Sequence, residues 1–493
     1  MTDALPLFSL AESDPVLAKD EYKTRQAHLR TALLKAQYAH LARADRSLLI
    51  VVAGIDGAGK GATVNLINEW MDPRHIRTLA FDRPDASDRS RPPMWRYWNA
   101  LPAKGKTGIV FGSWYALLLR EAARKHPRAD RIEQLAAAIR RFEAMAAADG
   151  VQVLKLWFHL SKSAQTDRLK RLLANPQTSW QVTRADHKVN KKFERLCLAG
   201  SVAIGLTDRT HAPWQVIPSA DDNLRSVQTA QAILDAMQKR MPKIQAEPSQ
   251  GQPARIKIVD RLDAVSEVDI DRDAYDTQIG LWQGRLATAI RSDAFKGHSL
   301  VLAFEGQDAA GKGGAIRRIA NALDARLYDI HQIAAPSPDE LARPYLWRFW
   351  HRLPPLGRVG IFDRSWYGRV LVERVEKLAT PAAWRRAYDE INDFEAQLAA
   401  NKVIVLKFWL AISPDEQLAR FKAREKSAFK RFKITPEDWR NRDKWDAYAN
   451  AANEMFARTD RPGAPWHVIA GNDKRSARLE VLQKTVLALE NAL

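Results

Sequence analysis

Residues 306–313 read Gly-Gln-Asp-Ala-Ala-Gly-Lys-Gly and come shortly after the apolar run Leu300–Phe304. Spaced apolar residues over Ile316–Leu323 are typical of an amphipathic helix. A strand, then G-x-x-x-x-G-K, then a helix is the context in which a match to the Walker A phosphate-binding pattern is meaningful. The sequence therefore predicts a phosphate-binding loop between a strand and a helix.

The residues of this loop suit a bound phosphate chain. Glycines let backbone N–H groups turn toward phosphate oxygens, the helix N-terminus adds its positive dipole end, and Lys312 supplies a charge. Gly313 stands where Ser or Thr normally ligates magnesium, so Asp308 is the candidate metal ligand instead. A glycine-rich turn without a ligand is the alternative. The candidate phosphate-binding loop positions are Gly306, Ala310, Gly311, Gly313 and Gly314.

A second carboxylate closes another apolar run. Gly360-Ile361-Phe362 leads into Asp363, and Arg364 follows. P-loop enzymes place an Asp at the end of such a strand, where it holds magnesium directly or through water. Asp363 is therefore the second predicted metal ligand, and a surface Asp that closes a strand is the alternative.

The chain contains one unit twice, at a constant offset of 252 residues. A period this long indicates a domain duplication, because solenoid repeats run at about 20–50 residues. Clustered Pro, Ser and Gly near 239–255 indicate a linker. We predict a first domain at 1–240, a linker at 241–256 and a second domain at 257–493. Matching blocks include Gly54–Gly61 with Gly306–Gly313, Trp95–Trp98 with Trp347–Trp350, Ser113–Tyr115 with Ser365–Tyr367, and Thr207–Arg209 with Thr459–Arg461.

Short apolar strands alternate with helical stretches within each copy. This alternation predicts a parallel sheet covered by helices on both faces. The predicted fold class is α/β: tandem duplicated P-loop kinase domains, each a parallel sheet flanked by helices with a helical lid.

The first copy has lost groups that the second copy keeps. Phe111 aligns with Asp363, and Gly112 aligns with Arg364. A phenyl ring cannot ligate magnesium, so the first domain is predicted to be degenerate and the second to be catalytic.

A basic segment is also confined to the second copy. Arg424–Lys433 carries five basic residues and one acidic residue, whereas the aligned Leu172–Gln181 carries no charged residue. A charge run is usually a solvated helix face, but that does not explain why the same element is neutral in the other copy. A lid that closes cations over a phosphate chain and excludes water does explain it. The predicted lid cations are Arg424, Lys426, Lys430, Arg431 and Lys433.

Composition limits the kinds of partner that the chain is expected to bind. The net charge of +19 favours a polyanion, of which nucleic acid is the commonest and inorganic polyphosphate is another. One cysteine excludes an intrachain disulfide, and Met1–Asp20 lacks the features of a signal peptide. The expected location is cytoplasmic, with no membrane partner, and a homo-oligomer is compatible with the sequence.

In combination, these motifs resemble the polyphosphate kinase type 2 family. The family's pattern E-G-x-D-A-A-G-K-G-G is matched by Glu305–Gly314, and I-F-D-R-S-W-Y by Ile361–Tyr367. Further matches are W-R-F at Trp347–Phe349, W-D-x-Y at Trp445–Tyr448, A-P-W-x-V-I at Ala464–Ile469 and N-D-K-x-x-A-R-L at Asn472–Leu479.

The resemblance implies magnesium-dependent phosphoryl transfer between inorganic polyphosphate and nucleotides. Asp308 and Asp363 would hold Mg2+, and Lys312, Arg364 and the lid cations would bind the transferring phosphates. The fused two-copy form resembles members that phosphorylate AMP to ADP. One phosphoanhydride is broken and one is made, so the reaction is expected to be reversible. The expected partners are polyphosphate and AMP or ADP, and no nucleic acid.

Two rival readings stay open at this point. The P-loop also suits an ATP-dependent nucleoside or nucleic-acid kinase, which would ignore polyphosphate as a donor. A non-enzymatic polyanion-binding protein would bind with a steep salt dependence and show no turnover.

Overall fold

Two five-stranded parallel sheets form the framework of the computed structural model, which describes residues 6–182, 192–241, 244, 256–262, 269–428 and 431–493. The chain divides into two compact units. The first unit comprises Met1–Pro84, Arg96–Pro248 and Ser337–Trp347, and the second comprises Asp85–Trp95, Ser249–Pro336 and Arg348–Leu493. The predicted α/β class with duplicated domains is confirmed.

The first half of the chain builds one sheet in the order β2-β3-β1-β4-β5, with every neighbouring pair parallel. Its strands are β1 (Ser47–Gly54), β2 (Ile76–Ala80), β3 (Thr107–Phe111), β4 (Val151–His159) and β5 (Trp214–Pro218). Its helices are α1 (Ser9–Glu12), α2 (Lys19–Arg43), α3 (Lys60–Trp70), α4 (Ala86–Arg89), α5 (Trp95–Trp98), α6 (Tyr115–Ala122), α7 (Ala129–Ala148), α8 (Lys162–Ala174), α9 (Phe193–Thr207) and α10 (Asp222–Gln238).

The second half repeats this topology in the order β7-β8-β6-β9-β10. Its strands are β6 (Ser299–Gly306), β7 (Tyr328–Gln332), β8 (Val359–Asp363), β9 (Val403–Ala411) and β10 (Trp466–Ala470). Its helices are α11 (Arg272–Arg291), α12 (Lys312–Ala320), α13 (Pro338–Leu341), α14 (Trp347–Trp350), α15 (Val372–Val375), α16 (Pro381–Ala399), α17 (Pro414–Glu425), α18 (Pro436–Asp443), α19 (Trp445–Thr459) and α20 (Lys474–Ala492).

Each unit includes a short segment from the opposite half of the chain. Within the first unit, the backbone N–H of Lys104 donates to the carbonyl of Ala342 over 2.8 Å. Within the second unit, the N–H of Leu356 donates to the carbonyl of Ser90 over 2.9 Å. The predicted linker 241–256 lies almost entirely outside the described residues, so the boundaries at 240 and 257 stay a prediction.

The sheet of the second unit sets the position of its loops. The central strand β6 is buried on both faces, which is why it reads as an almost continuous apolar run. In the register of β6 and β8, Phe304 lies opposite Asp363. The loops that follow the two strands therefore leave the sheet at the same carboxyl edge, where open α/β sheets bind ligands.

Among the described residues, no helix has the length and apolar character required to cross a membrane.

Candidate active site

The P-loop of the second unit joins β6 to α12 through a turn that requires glycine at two positions. Gly306 has a φ of +131°, and a Cβ there would lie 2.3 Å from the carbonyl oxygen of Leu410. Gly311 has a φ of +111° and immediately precedes Lys312, the first residue of α12. Because the first N–H groups of a helix have no intrahelical acceptor, this end of α12 is suited to bind an anion.

Lys312 is held over the loop by carbonyl groups. Its Nζ donates to the backbone oxygen of Gly306 over 2.8 Å and to that of Gln307 over 3.1 Å. Burial lowers the pKa of Lys312 from its ordinary value of 10.5, and the carboxylates of Asp308 and Asp363 act against that shift. The ammonium group is thus fixed beside the backbone of the candidate phosphate-binding loop.

Asp308 is fixed from three sides. One carboxylate oxygen accepts from Nη2 of Arg364 over 3.1 Å, and the other accepts from Nδ2 of Asn441 over 2.8 Å. The amide of Gln417 donates to the backbone oxygen of Asp308 over 3.1 Å. The amide of Asn441, from α18, therefore orients the carboxylate, and the amide of Gln417, from α17, holds the backbone of the loop.

Asp363 and Arg364 stand at the end of β8, as the sequence predicts. Asp363 is the last residue of the strand and is half-buried. Arg364 follows with a φ of +63°, and its N–H donates to the carbonyl of Phe304 over 3.0 Å. Both side chains therefore face the edge of the sheet that carries the P-loop.

One cleft of about 530 Å³ collects these groups. Its lining carries three carboxylates, of Asp308, Asp363 and Asp438, and a larger number of cations, a charge pattern that fits a phosphate chain with a divalent metal. The predicted site residues that line it are Asp308, Ala310, Gly311, Lys312, Gly313, Gly314, Asp363, Arg364 and Arg424.

The predicted lid cations are distributed unevenly. Arg424, at the end of α17, lines the cleft. Lys426 and Arg431 are exposed and do not belong to the lining of the cleft. Lys430 lies outside the described residues, as does the side chain of Lys433, so their roles stay predictions.

Besides Arg420, three cations that the sequence interpretation did not name as site residues line the cleft: Arg317, Lys474 and Arg478. They come from α12 and α20, and a Cβ on Gly314 would lie 3.2 Å from the guanidinium of Arg478. A column-by-column comparison of the two copies could have found them. The aligned residues of the first copy are Asn65, Asp222 and Ser226.

Arg420 stabilises the P-loop through hydrogen bonds to its backbone. Its side chain is buried, and its Nη1 donates to the carbonyls of Ala309 and Ala310 over 2.9 and 3.0 Å. Its Nη2 donates to the carbonyls of Gly471 and Asn472 over 2.7 and 2.9 Å. One guanidinium thereby ties the P-loop to the loop after β10, which explains why an arginine at this position is buried.

A second, more aromatic pocket adjoins the cleft in the same unit. Large apolar side chains form one part of its wall, and polar side chains near the P-loop form the other. Trp409, Trp445, Tyr448, Leu371 and Val372 are among the apolar and aromatic members. Aromatic walls with a few convergent polar groups are the lining typical of a small-molecule site, and the enclosed space of about 80 Å³ is smaller than that of the cleft.

The two cavities share Asp308 and Arg364. A ligand in the aromatic pocket and a ligand in the cationic cleft would therefore meet at these two side chains. This arrangement suits group transfer between two bound molecules, because it positions both partners at one charged point.

The first unit keeps the loop, with Asp56 at the position of Asp308, but lacks the arginine. Lys60 donates to the carbonyls of Gly54 and Ile55 over 3.0 and 2.8 Å, much as Lys312 does in its own loop. Gly112 has a φ of +60°, and a Cβ there would lie 2.2 Å from the carbonyl oxygen of Phe81. In the first unit the backbone packs so closely against this position that only glycine fits. The second unit carries an arginine there.

A cluster of ligand-type side chains in the first unit is explained by hydrogen bonding. Nε1 of Trp157 donates to Nδ1 of His159 over 3.2 Å, so Nε2 carries the imidazole proton and donates to Glu12 over 2.9 Å. Burial raises the pKa of the nearby Cys197 to about 12. A neutral thiol and a protonated imidazole nitrogen describe an internal hydrogen-bond chain rather than a metal centre.

The fold and the shared transfer point place the chain among the P-loop phosphotransferases. The family model described as Polyphosphate kinase 2 (PPK2) matches residues 16–245 and 269–493, and the chain belongs to this family. The resemblance inferred from the sequence is thereby confirmed.

Curated relatives and a solved structure cover nearly the whole chain. A polyphosphate:AMP phosphotransferase of Pseudomonas aeruginosa is 46% identical over 493 residues, which is 99% of both chains. One of Acinetobacter johnsonii is 42% identical over 472 residues, covering 94% of this chain and 96% of the relative. A crystal structure from Pseudomonas aeruginosa, described as a polyphosphate kinase 2, superposes with a TM-score of 0.86 at 44% identity and covers 98% of this chain and 99% of that one.

Proposed function

We propose that this chain is a polyphosphate:AMP phosphotransferase, which transfers the terminal phosphoryl group of inorganic polyphosphate to AMP and yields ADP. The observation that carries the proposal is that the cationic cleft and the aromatic pocket share Asp308 and Arg364. Full-length relatives named for this activity support the choice of both substrates.

Polyphosphate is assigned to the cationic cleft. The N-terminal N–H groups of α12 and the ammonium of Lys312 would face the phosphates, and Arg317, Arg424 and Lys474 extend the positive lining. A chain of phosphates carries closely spaced negative charges, so several cations along one cleft match it better than a single charged pocket does. This placement also accounts for part of the net charge of +19.

AMP is assigned to the aromatic pocket, with its phosphate toward Asp308 and Arg364. In the transfer, an oxygen of the AMP phosphate forms a bond to the terminal phosphorus of polyphosphate, and the bond from that phosphorus to the rest of the chain breaks. The shortened polyphosphate leaves with the electron pair. One phosphoanhydride replaces another, so the reaction runs in both directions, and no covalent enzyme intermediate is required.

Magnesium fits the donor set of the cleft. Asp308 and Asp363 both line it, and carboxylate oxygens are the ligands that Mg2+ prefers. Bound there, the ion would neutralise charge on the phosphates. The chain's own contribution is positional: Asn441 and Gln417 orient Asp308, and Arg364 holds phosphate oxygens at the transfer point.

The choice of phosphoryl donor distinguishes this function from an ATP-dependent kinase and from a non-enzymatic binding protein. We expect ADP to form from AMP, polyphosphate and Mg2+ without ATP, and AMP to return when ADP is supplied with polyphosphate. The measurement is chromatography of the nucleotides after incubation with each donor. ADP formation only with ATP would identify a nucleotide-dependent kinase. Salt-sensitive binding of polyphosphate without turnover would identify a binding protein.

Trp445→Ala is expected to raise the KM for AMP by about tenfold while changing the KM for polyphosphate by less than about twofold. The indole lines the aromatic pocket and is absent from the lining of the cleft. Steady-state kinetics with each substrate varied in turn provide the measurement. Phe193→Ala, at the aligned position of the first copy, is the matched control. An equal effect on both KM values would contradict the assignment of the pocket to AMP.

Cytoplasmic location and a homo-oligomeric state stay predictions, and we expect no role for nucleic acid as a partner.

A further inference from the structure

Backbone strain distinguishes the second unit from the first at the transfer point. Arg364 has a φ of +63° and its counterpart Gly112 has a φ of +60°. Glycine adopts this left-handed conformation freely, whereas a residue with a Cβ does so only at a steric penalty. The φ angle at this position is therefore nearly the same in both copies, and the second copy adopts it despite carrying an arginine.

A buried carboxylate fastens this turn. Oε1 of Glu305 accepts from the backbone N–H of Ser365 over 2.8 Å and from the hydroxyl of Ser365 over 2.8 Å. Glu305 is 6% exposed and belongs to β6, one residue before Gly306. The residue directly after the strained arginine is thus tied to the strand that begins the P-loop.

The arginine at positive φ and the buried glutamate that binds the next residue occur together in the second copy, and both are absent from the first. Where the second copy has Glu305 and Arg364, the first copy has Ala53 and Gly112. Both copies keep the following serine, Ser113 in the first. A turn built on glycine requires no clamp to hold it, and the copy that has the relaxed turn also lacks the clamp.

We propose that Glu305 is a positioning residue, which clamps Ser365 and thereby holds Arg364 in the strained turn that aims its guanidinium at Asp308 and the transferring phosphate. Strained residues persist where the surrounding structure over-determines them, and Glu305 supplies that constraint here. Without the clamp the turn relaxes, and the guanidinium of Arg364 leaves the point shared by the two cavities. The inference rests on the proposed function for its kinetic consequence and on geometry for its structural one.

A different role for Glu305 makes a different prediction. Its charge also interacts with Lys312 and Arg364, so it could serve as a buried anion that balances these cations. If Glu305 acts as a clamp, its effect depends on the position of the oxygen that accepts from Ser365. If it balances charge, its effect depends on its negative charge. Two substitutions separate them, because Gln keeps the reach of the acceptor and removes the charge, whereas Asp keeps the charge and withdraws the acceptor by one methylene.

The kinetic test is the rate of ADP formation by full-length variants. We expect Glu305→Gln to stay within about fivefold of wild type in kcat/KM, and Glu305→Asp and Glu305→Ala to lose on the order of 10- to 100-fold. In an Arg364→Gly background, which relieves the strain and removes the guanidinium, Glu305→Ala should cause less than about a twofold further loss. A Gln variant as impaired as Ala, an active Asp variant, or losses that multiply in the double variant would overturn the proposal.

Thermal unfolding of the same variants tests the clamp independently of the assay. We expect Glu305→Ala to lower the unfolding midpoint of the wild-type background, and to lower it markedly less in the Arg364→Gly background. Equal shifts in the two backgrounds would overturn the proposal even if the kinetics were uninformative. A wild-type protein that forms no ADP would refute the proposed function, and the unfolding cycle would still decide the clamp.

Discussion

Asp308→Asn and Asp363→Asn are each expected to lower kcat/KM for polyphosphate-dependent ADP formation by about a thousandfold or more. Each change removes a negative oxygen ligand from the cleft that would hold Mg2+, while keeping nearly the same side-chain volume. Asp308→Asn also removes the charge that pairs with Arg364 over 3.1 Å. The measurement is initial rates over a range of Mg2+ concentrations, at which a metal-binding defect shows a raised Mg2+ requirement.

Asp56→Asn provides the matched control, because Asp56 occupies the position of Asp308 in the first copy. We expect this variant to keep a rate close to that of wild type, since the first unit has Phe111 where the second has Asp363. If Asp56→Asn were as impaired as Asp308→Asn, the first unit would take part in the chemistry. The assignment of catalysis to the second unit would then be wrong.

The framework of the site could be predicted because its signals are local in sequence. The P-loop occupies 306–313, and Asp363 closes an apolar strand, so both could be recognised without knowing the tertiary structure. Parallel pairing of β6 with β8 then brings the two strand ends to one edge of the sheet. The internal repeat added a second signal, since Phe111 and Gly112 showed which positions differ between the copies.

The sequence does not show by itself which other residues reach the cleft, although Lys474 and Arg478 lie within the matched pattern N-D-K-x-x-A-R-L. Lys474 and Arg478 belong to the last helix, and they reach the P-loop only because α20 packs beside α12. Arg420 looks like one more cation of the basic lid, yet it is buried and binds four carbonyl oxygens. The sequence shows that a residue is basic, but the packing of helices decides whether it faces substrate, braces a loop or contacts solvent.

The backbone geometry of the turn at Gly112 likewise could not be predicted from the sequence. The loss of Arg364 from the first copy could be read as a single substitution to Gly112. The structure adds that a side chain at 112 would lie 2.2 Å from the carbonyl oxygen of Phe81. Restoring an arginine there requires movement of the neighbouring strand end, so the degeneration involves the backbone as well as the side chains.

Lys312→Met is expected to reduce kcat/KM for polyphosphate by about a thousandfold, because it removes the charge beside the phosphates being separated. Methionine keeps an unbranched apolar stem of similar length, so the fold of the loop should persist. Lys60→Met, the same change in the first copy, is expected to leave the rate near that of wild type. Comparable losses in the two variants would show that both P-loops serve the reaction.

Lys312 also predicts a pH dependence. Burial lowers its pKa from the ordinary 10.5, with Asp308, Asp363 and Glu305 opposing the shift and Arg364 adding to it. The charged form binds phosphate, so kcat/KM for polyphosphate should fall as the pH rises through this lowered pKa, below pH 10.5. Lys312→Arg should move the fall to higher pH, because a guanidinium stays protonated there. A decline at the same pH in both proteins would show that another group titrates and that Lys312 does not set the alkaline limit.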